Sequence, residues 1–225
     1  MKKILLSVFA LGTLVSNAQL PVSTAVENRN VVLEEFTGIY CGYCPDGHKI
    51  GQDIYDNNSG DVVLVNIHTG GYANPNPGDP DFRTPFGADI ALQADIAGFP
   101  AGTINREFFG IFDGTKPVGQ QWTLSQKGGT AMGRGDWANT AGQIFPQTSV
   151  VNVAADASIN ISTNELQVIV ETYYTGNSTA STNFLHVALL QNNVEGPQSG
   201  MSANPASVLP NGNYSHNHML RHFLT

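Results

Sequence analysis

Two stretches of the chain are apolar almost without a break: Val31–Leu33 with Phe36, and Val62–Ile67. Short runs rich in β-branched residues suit strands covered on both faces. Between them, Asp46, Lys49, Gln52, Asp53 and Asp56 interleave with Ile50, Ile54 and Tyr55. That pattern predicts a half-buried helix starting near Cys44 and ending at the turn cluster Asn57-Asn58-Ser59-Gly60. A strand, a helix and a strand in this order predict a parallel pair joined by a right-handed crossover. Residues 69 to 85 hold three glycines and four prolines less one helix signal, and read as a long loop bordering a site or a partner. Phe86–Ile96 predicts a helix with Ile90, Leu92 and Ile96 towards the core. Phe108–Asp113 reads as a strand or hairpin arm, and Trp122–Lys127 as a short helix. Trp137–Phe145 reads as a further helix, capped by Asp136 and stopped by Pro146.

From Thr148 the pattern changes to alternation. Val168, Val170, Thr172 and Tyr174 share one face; Gln167, Ile169, Glu171 and Tyr173 share the other. With Ser149–Ile161, Glu165–Tyr174 and Phe184–Gln191 all β-rich, this predicts antiparallel strands forming part of a sandwich. The expected architecture is an α/β domain over residues 19–146 and an antiparallel β-sandwich domain over 147–225. The apparent last strand, Met219–Thr225, is expected to leave that sandwich incomplete with an exposed edge.

Lys2 and Lys3, the apolar run Ile4–Val15 and the small residues Ser16-Asn17-Ala18 read as a secretory signal over residues 1–18. Its removal takes the formal charge from −8 to −10, because it carries two lysines and no acid. An acidic, sparsely charged surface argues against nucleic acid and anionic lipid as partners. Export places the protein in the periplasm, at the outer membrane or on the cell surface. It also exposes the two cysteines of the chain, Cys41 and Cys44, to an oxidising setting in which they pair with each other.

Their spacing, Cys-Gly-Tyr-Cys at the start of a helix, is the arrangement that activates a thiol. Unpaired N–H groups and the partial positive charge of the helix N-terminus favour thiolate over thiol. Two other uses stay open. A structural crosslink closing so small a loop returns only about 2 kcal/mol by chain entropy, which favours the redox reading. Zinc wants four ligands, and His48 and His68 are the nearest additions. Haem attachment fails because Pro45, not His, follows Cys44. Alternation along the first strand lets one of Glu34 and Glu35 point inward. Gly98-Phe99-Pro100-Ala101-Gly102 precedes a strand, and local sequence alone favours a trans bond at Pro100.

An acid six positions before the first cysteine, an aromatic residue after it, Cys-Gly-x-Cys at a helix start and a later Gly-Phe-Pro ahead of a strand together resemble the thioredoxin fold. The longer strings Leu33–Gly38, Cys41–His48, Phe99–Arg106 and His216–Arg221 resemble the twenty-eight-kilodalton outer-membrane-protein-related family of Bacteroidetes. The resemblance implies that Cys41 is the exposed attacking cysteine and Cys44 the buried resolving one. It implies that Glu35 is the buried acid moving protons beneath the pair. It also makes Pro100 a cis-proline facing the disulfide, reversing the local expectation. Tyr40 and Tyr43 stand where thioredoxins carry Trp and Pro, and Pro45 where a basic residue is common.

These features predict a thiol–disulfide oxidoreductase acting on protein thiols or disulfides, with outer-membrane or surface proteins as partners and no cofactor. The competing expectation is a surface or adhesion module in which the disulfide is structural. His216, His218 and His222 read as ordinary packing and hydrogen-bonding residues rather than a metal site, because no single regular conformation aligns all three. His48 and His68 are candidates for tuning the thiol. Asp79 and Asp81 suit a turn better than calcium. Arg106 and Arg221 are candidates for pairing with acids across the two domains.

Overall fold

The computed structural model describes residues 22–110 and 129–225. The leader over residues 1–18, the Trp122–Lys127 helix and the end of the Phe108–Asp113 segment lie outside the described residues. Two compact units are present, one comprising Asn28–Thr148 with Thr179–Thr225, the other containing Ser149–Ser178.

The larger unit is built on the predicted strand–helix–strand: β1 (Val31–Thr37), α1 (Cys44–Asn57) and β2 (Val62–His68). β1 and β2 are parallel, with Leu33 opposite Leu64 and Glu35 opposite Asn66. Then come α2 (Gly87–Ala94), β3 (Ala101–Ile104), β4 (Met132–Gly133) and α3 (Trp137–Ile144). α2 is shorter than predicted. Asp95 turns left-handed (φ 58°) and ends it, and Leu92 faces outward at 75% exposure rather than towards the core. Asp136 precedes α3, but its side chain makes no capping hydrogen bond.

β5 (Val151–Asn160) and β6 (Glu165–Tyr174) form an antiparallel hairpin in the smaller unit, in register from Val151 opposite Tyr174 to Asn160 opposite Glu165. β7 (Ala188–Gln191), β8 (Val194–Gly196), β9 (Tyr214–His216) and β10 (Met219–Phe223) belong to the larger unit. Among the described residues its main sheet runs β4-β3-β1-β2-β10-β7, and β8 pairs with β9 as a separate ribbon.

This corrects the expected β-sandwich over residues 147–225. β10 runs parallel to β2 and antiparallel to β7, so it lies inside the mixed sheet rather than at an exposed edge. The physical reason is burial. Met219 and Leu220 are the inward apolar pair of β10, and Leu220 packs with Phe36, Val65 and Ile67. The fold is therefore mixed α/β, with a central mixed sheet and further antiparallel sheets.

The sheet has two covered faces. Val31, Leu33, Val62 and Leu64 meet Ile54 of α1 and Trp137, Ala141 and Ile144 of α3. Phe36, Val65 and Ile67 meet Ile90, Ala91 and Ala94 of α2 on the other side. Each such aliphatic side chain contributes about 1.5–3 kcal/mol through burial. Both acids of β1 are buried, one on each face: Glu35 beneath α1 and Glu34 on the α2 side. The expectation that a single one points inward is corrected. The α2-side acid is accommodated because Arg106 pairs with it.

Candidate functional site

Cys41 and Cys44 form a disulfide at the N-terminus of α1, with Pro45 in its first turn. The peptide bond Phe99–Pro100 is cis, and Pro100 is buried immediately before β3. Gly47, one turn into α1, fits between two of the candidate residues. A Cβ there would stand 2.5 Å from Glu35 Oε1 and 3.0 Å from Pro100 Cγ. The helix can approach Glu35 and Pro100 because that position has no side chain.

Glu35 is 2% exposed, and its Oε1 has no hydrogen-bond partner among the described residues. Burial pushes its carboxyl well above the usual range, Arg134 opposes this, and Asp46 adds to it. Arg134 pairs with Asp46 and lies 5.8 Å over the ring of Tyr43, placing a guanidinium beside the dithiol loop. The sequence carried no local sign of this role for Arg134.

Beside Glu35 lies a group of neutral polar side chains. His48 Nε2 is 3.7 Å from Glu35 Oε1 and 2.9 Å from Thr37 Oγ1, while its Nδ1 is 3.0 Å from the Tyr214 hydroxyl. Asn204 Nδ2 donates to the same hydroxyl at 2.8 Å. His68 and His216 meet edge-on at 5.3 Å, and Phe82 packs against both. Both ring nitrogens of His68 and Nδ1 of His216 lack hydrogen-bond partners among the described residues. Burial lowers His48 to about 3 and His216 to about 4, holds His68 well below its usual value, and pushes Tyr214 up to about 12. His48, His68, Tyr214 and His216 line a cavity of about 270 Å³ together with Glu35 and Leu64.

The sulfurs themselves are covered. Cys41 is 2% exposed and Cys44 fully buried, so the expectation of an exposed attacking cysteine is corrected. The start of the β8–β9 connection lies against the backbone of the loop that carries them. Gln198 Nε2 donates to Cys41 O at 3.0 Å and to Gly38 O at 3.3 Å, and Ser199 N donates to Ile39 O at 2.8 Å. Gly200 (φ 69°) sits directly on Gly42, where any Cβ would overlap the Gly42 carbonyl. The Pro/Gly loop borders the same loop from another side: Tyr40 N donates to Tyr72 O at 2.9 Å, and Tyr40 OH bonds Asp79.

The other candidates are dispersed. His216 faces Phe82, His68 and Tyr214, His218 faces Tyr55, and His222 faces Phe86. Among the described residues no group of three His, Cys, Asp or Glu side chains is arranged to hold a metal ion. Asp81 pairs with Arg83. Arg106 pairs with Glu34 within its own unit, not across units.

Neither a known family model nor a curated protein matches the chain. Among solved structures, HBP35 of Porphyromonas gingivalis aligns with a TM-score of 0.62 at 21% identity, over 88% of this chain and 57% of that one. The chain thus spans little more than half of that protein, and the likeness is one of fold. A structural-genomics protein of Agrobacterium tumefaciens aligns over 89% of this chain and 74% of its own, at 14% identity and a TM-score of 0.49, too low to carry an argument. Among the described residues no helix is long and apolar enough to cross a membrane.

Proposed function

We propose that this is an exported, surface- or outer-membrane-associated protein with a thioredoxin-like layer, whose Cys41–Cys44 pair exchanges disulfides with partner proteins. The observation that carries the reading is Glu35. A buried carboxyl oxygen without a hydrogen-bond partner, as its Oε1 is among the described residues, costs about 1–3 kcal/mol, which a passive scaffold has no reason to bear. Under the first turn of the helix that carries the cysteines, such a group serves as a proton store. Pro100, packed at the same turn, and the fold shared with a protein of a Bacteroidetes organism support the reading.

In the reduced protein, Cys41 thiolate attacks a partner disulfide. One partner sulfur leaves as thiolate, and the other joins Cys41 in a mixed disulfide. Cys44 gives its proton to the Glu35 carboxylate and attacks Cys41 Sγ. This re-forms the Cys41–Cys44 bond and expels the second partner sulfur as thiolate, which takes up a proton from Glu35 or water. Run in reverse, the same steps oxidise a partner dithiol. The helix N-terminus and the nearby Arg134 favour thiolate at the pair.

A second reading is favoured by the 2% exposure of Cys41: a surface module in which the disulfide is structural. Redox titration separates the two, because a structural bond has a potential below about −300 mV. Insulin reduction by the wild type, by Cys41→Ser, by Cys44→Ser and by the double variant tests turnover directly. Activity of the wild type alone is expected; a wild type no better than the double variant defeats catalysis.

A further inference from the structure

The start of the β8–β9 connection follows the backbone of the dithiol loop closely. Gln198, Ser199 and Gly200 lie along the carbonyl groups of Gly38, Ile39, Cys41 and Gly42, the stretch leading into α1. One of these contacts, Ser199 N to Ile39 O, is a main-chain bond that any extended peptide can make. Another is a steric demand, since the residue above Gly42 O must lack a Cβ. The fit is also incomplete: Gln198 is 4% exposed, yet its Oε1 has no partner among the described residues. The closed position therefore leaves a buried acceptor unsatisfied, a cost that lifting the segment would relieve.

We infer that the carbonyl edge Gly38–Gly42 is a docking edge for an extended, disulfide-bearing segment of a partner protein, and that residues 197–203 occupy it as a resident stand-in. The partner segment carries a glycine above Gly42 and a hydrogen-bond donor two residues before it, as Gly200 and Gln198 do. The inference rests on the exchange reading of the pair and adds to it a partner sequence and a closed resting state. The base of the segment stays anchored, with His216 Nε2 3.2 Å from Pro197 O and Asn204 bonded to Tyr214. Displacement then involves the stretch between those anchors.

The test follows reduction of Cys41–Cys44 in the full chain by dithiothreitol, which is itself oxidised to its cyclic disulfide. Thiol labelling gives the rate, and global unfolding rates measured in parallel serve as control. Gly200→Val, which cannot seat, is expected to react at least about tenfold faster than the wild type, the equivalent of one or two lost hydrogen bonds. Gln198→Ala is expected to react about threefold faster by the loss of weaker contacts. A synthetic peptide with the sequence of residues 196–204 should slow either variant again in a concentration-dependent way. The same peptide with valine in place of its glycine should not.

Wild-type rates in both variants overturn the inference, as does faster reduction that the peptide leaves untouched. Should Gly200→Val fail to fold, Gln198→Ala with the two peptides decides alone. Protection by the peptide in a protein that never reduces insulin sinks the exchange reading and leaves the docking edge standing. Insulin reduction by the wild type, with no change in either variant, does the reverse.

Discussion

β1 carries two adjacent glutamates, and its two faces treat them in opposite ways. On the α2 side, Glu34 accepts from Arg106 Nε at 2.7 Å and Nη2 at 2.5 Å, and from Thr103 Oγ1 at 3.2 Å. Its charge is met by charge, and the acid is committed to holding β1 against β3. On the α1 side, Glu35 has no such partner, and His48, His68 and His216 around it are all held neutral by burial. One face uses its carboxylate for structure. The other keeps a carboxyl of raised proton affinity among groups that do not compete with it. Chemistry at a neighbouring sulfur needs the second arrangement, because a carboxyl locked in an ion pair cannot take up and release a proton near neutral pH.

The sharpest way to break the contrast is acid. The folded pKa values of His48, His68 and His216 lie below the ordinary 6.5, so each binds a proton in the unfolded chain before it does in the folded one. Their stabilising contribution is present above pH 6.5 and is lost as pH falls through the folded values. Glu35 acts oppositely over part of that range, so these four groups give a net loss of two protons, up to about 2.7 kcal/mol per pH unit, and His218, also lowered by burial, adds to it. Urea denaturation midpoints between about pH 7 and pH 4.5 should fall steeply; a flat profile would show that these rings are not buried neutral.

Removing the partner on the other face is the next largest effect. Arg106→Ala leaves Glu34 buried and charged. Loss of one member of a fully buried pair costs about 3–5 kcal/mol, but the Arg106 side chain is 38% exposed, so about 2 kcal/mol is expected near pH 7. A change below about 0.5 kcal/mol would mean that water serves Glu34 as well as the guanidinium does.

The parts of this site that were legible in sequence are those written by neighbours in the chain. The unbroken apolar runs of β1 and β2, the polar interleaving of α1 and the cysteine spacing are short-range signals. They placed the disulfide at the helix start and an acid on the strand below. What escaped was long-range. Gln198 meets Cys41 across 157 positions, in a polar stretch that looks like a connection. Arg134 reaches the dithiol loop from beyond β3 without a motif. β10 was legible as a strand, but alternation cannot say which sheet a strand joins. Here its backbone follows the bond from Asn66 N to His218 O at 2.7 Å into the centre of the larger unit. Leu92 was misread because it stands two positions from Ile90, on the opposite side of the helix, while the buried face runs through Ile90, Ala91 and Ala94.

The smallest expected effect isolates Glu35 itself. Its folded pKa is raised, so the folded protein retains a proton that the unfolded chain releases above about pH 4.5. Stability from this group is therefore complete below that pH and declines as pH rises through the folded value. Glu35→Gln keeps the shape and removes the titration. The variant should match the wild type in acid and gain on it with rising pH, by up to about 1.4 kcal/mol per unit, until the wild-type carboxyl has ionised. In the same variant the acid-side slope should steepen by one proton, because the opposing group is gone. A constant difference between the two proteins from about pH 4 to pH 9 would mean that Glu35 titrates as an ordinary surface acid. The distinction between the two faces of β1 would then rest on position alone, and Glu35 could no longer be assigned the proton that Cys44 must lose.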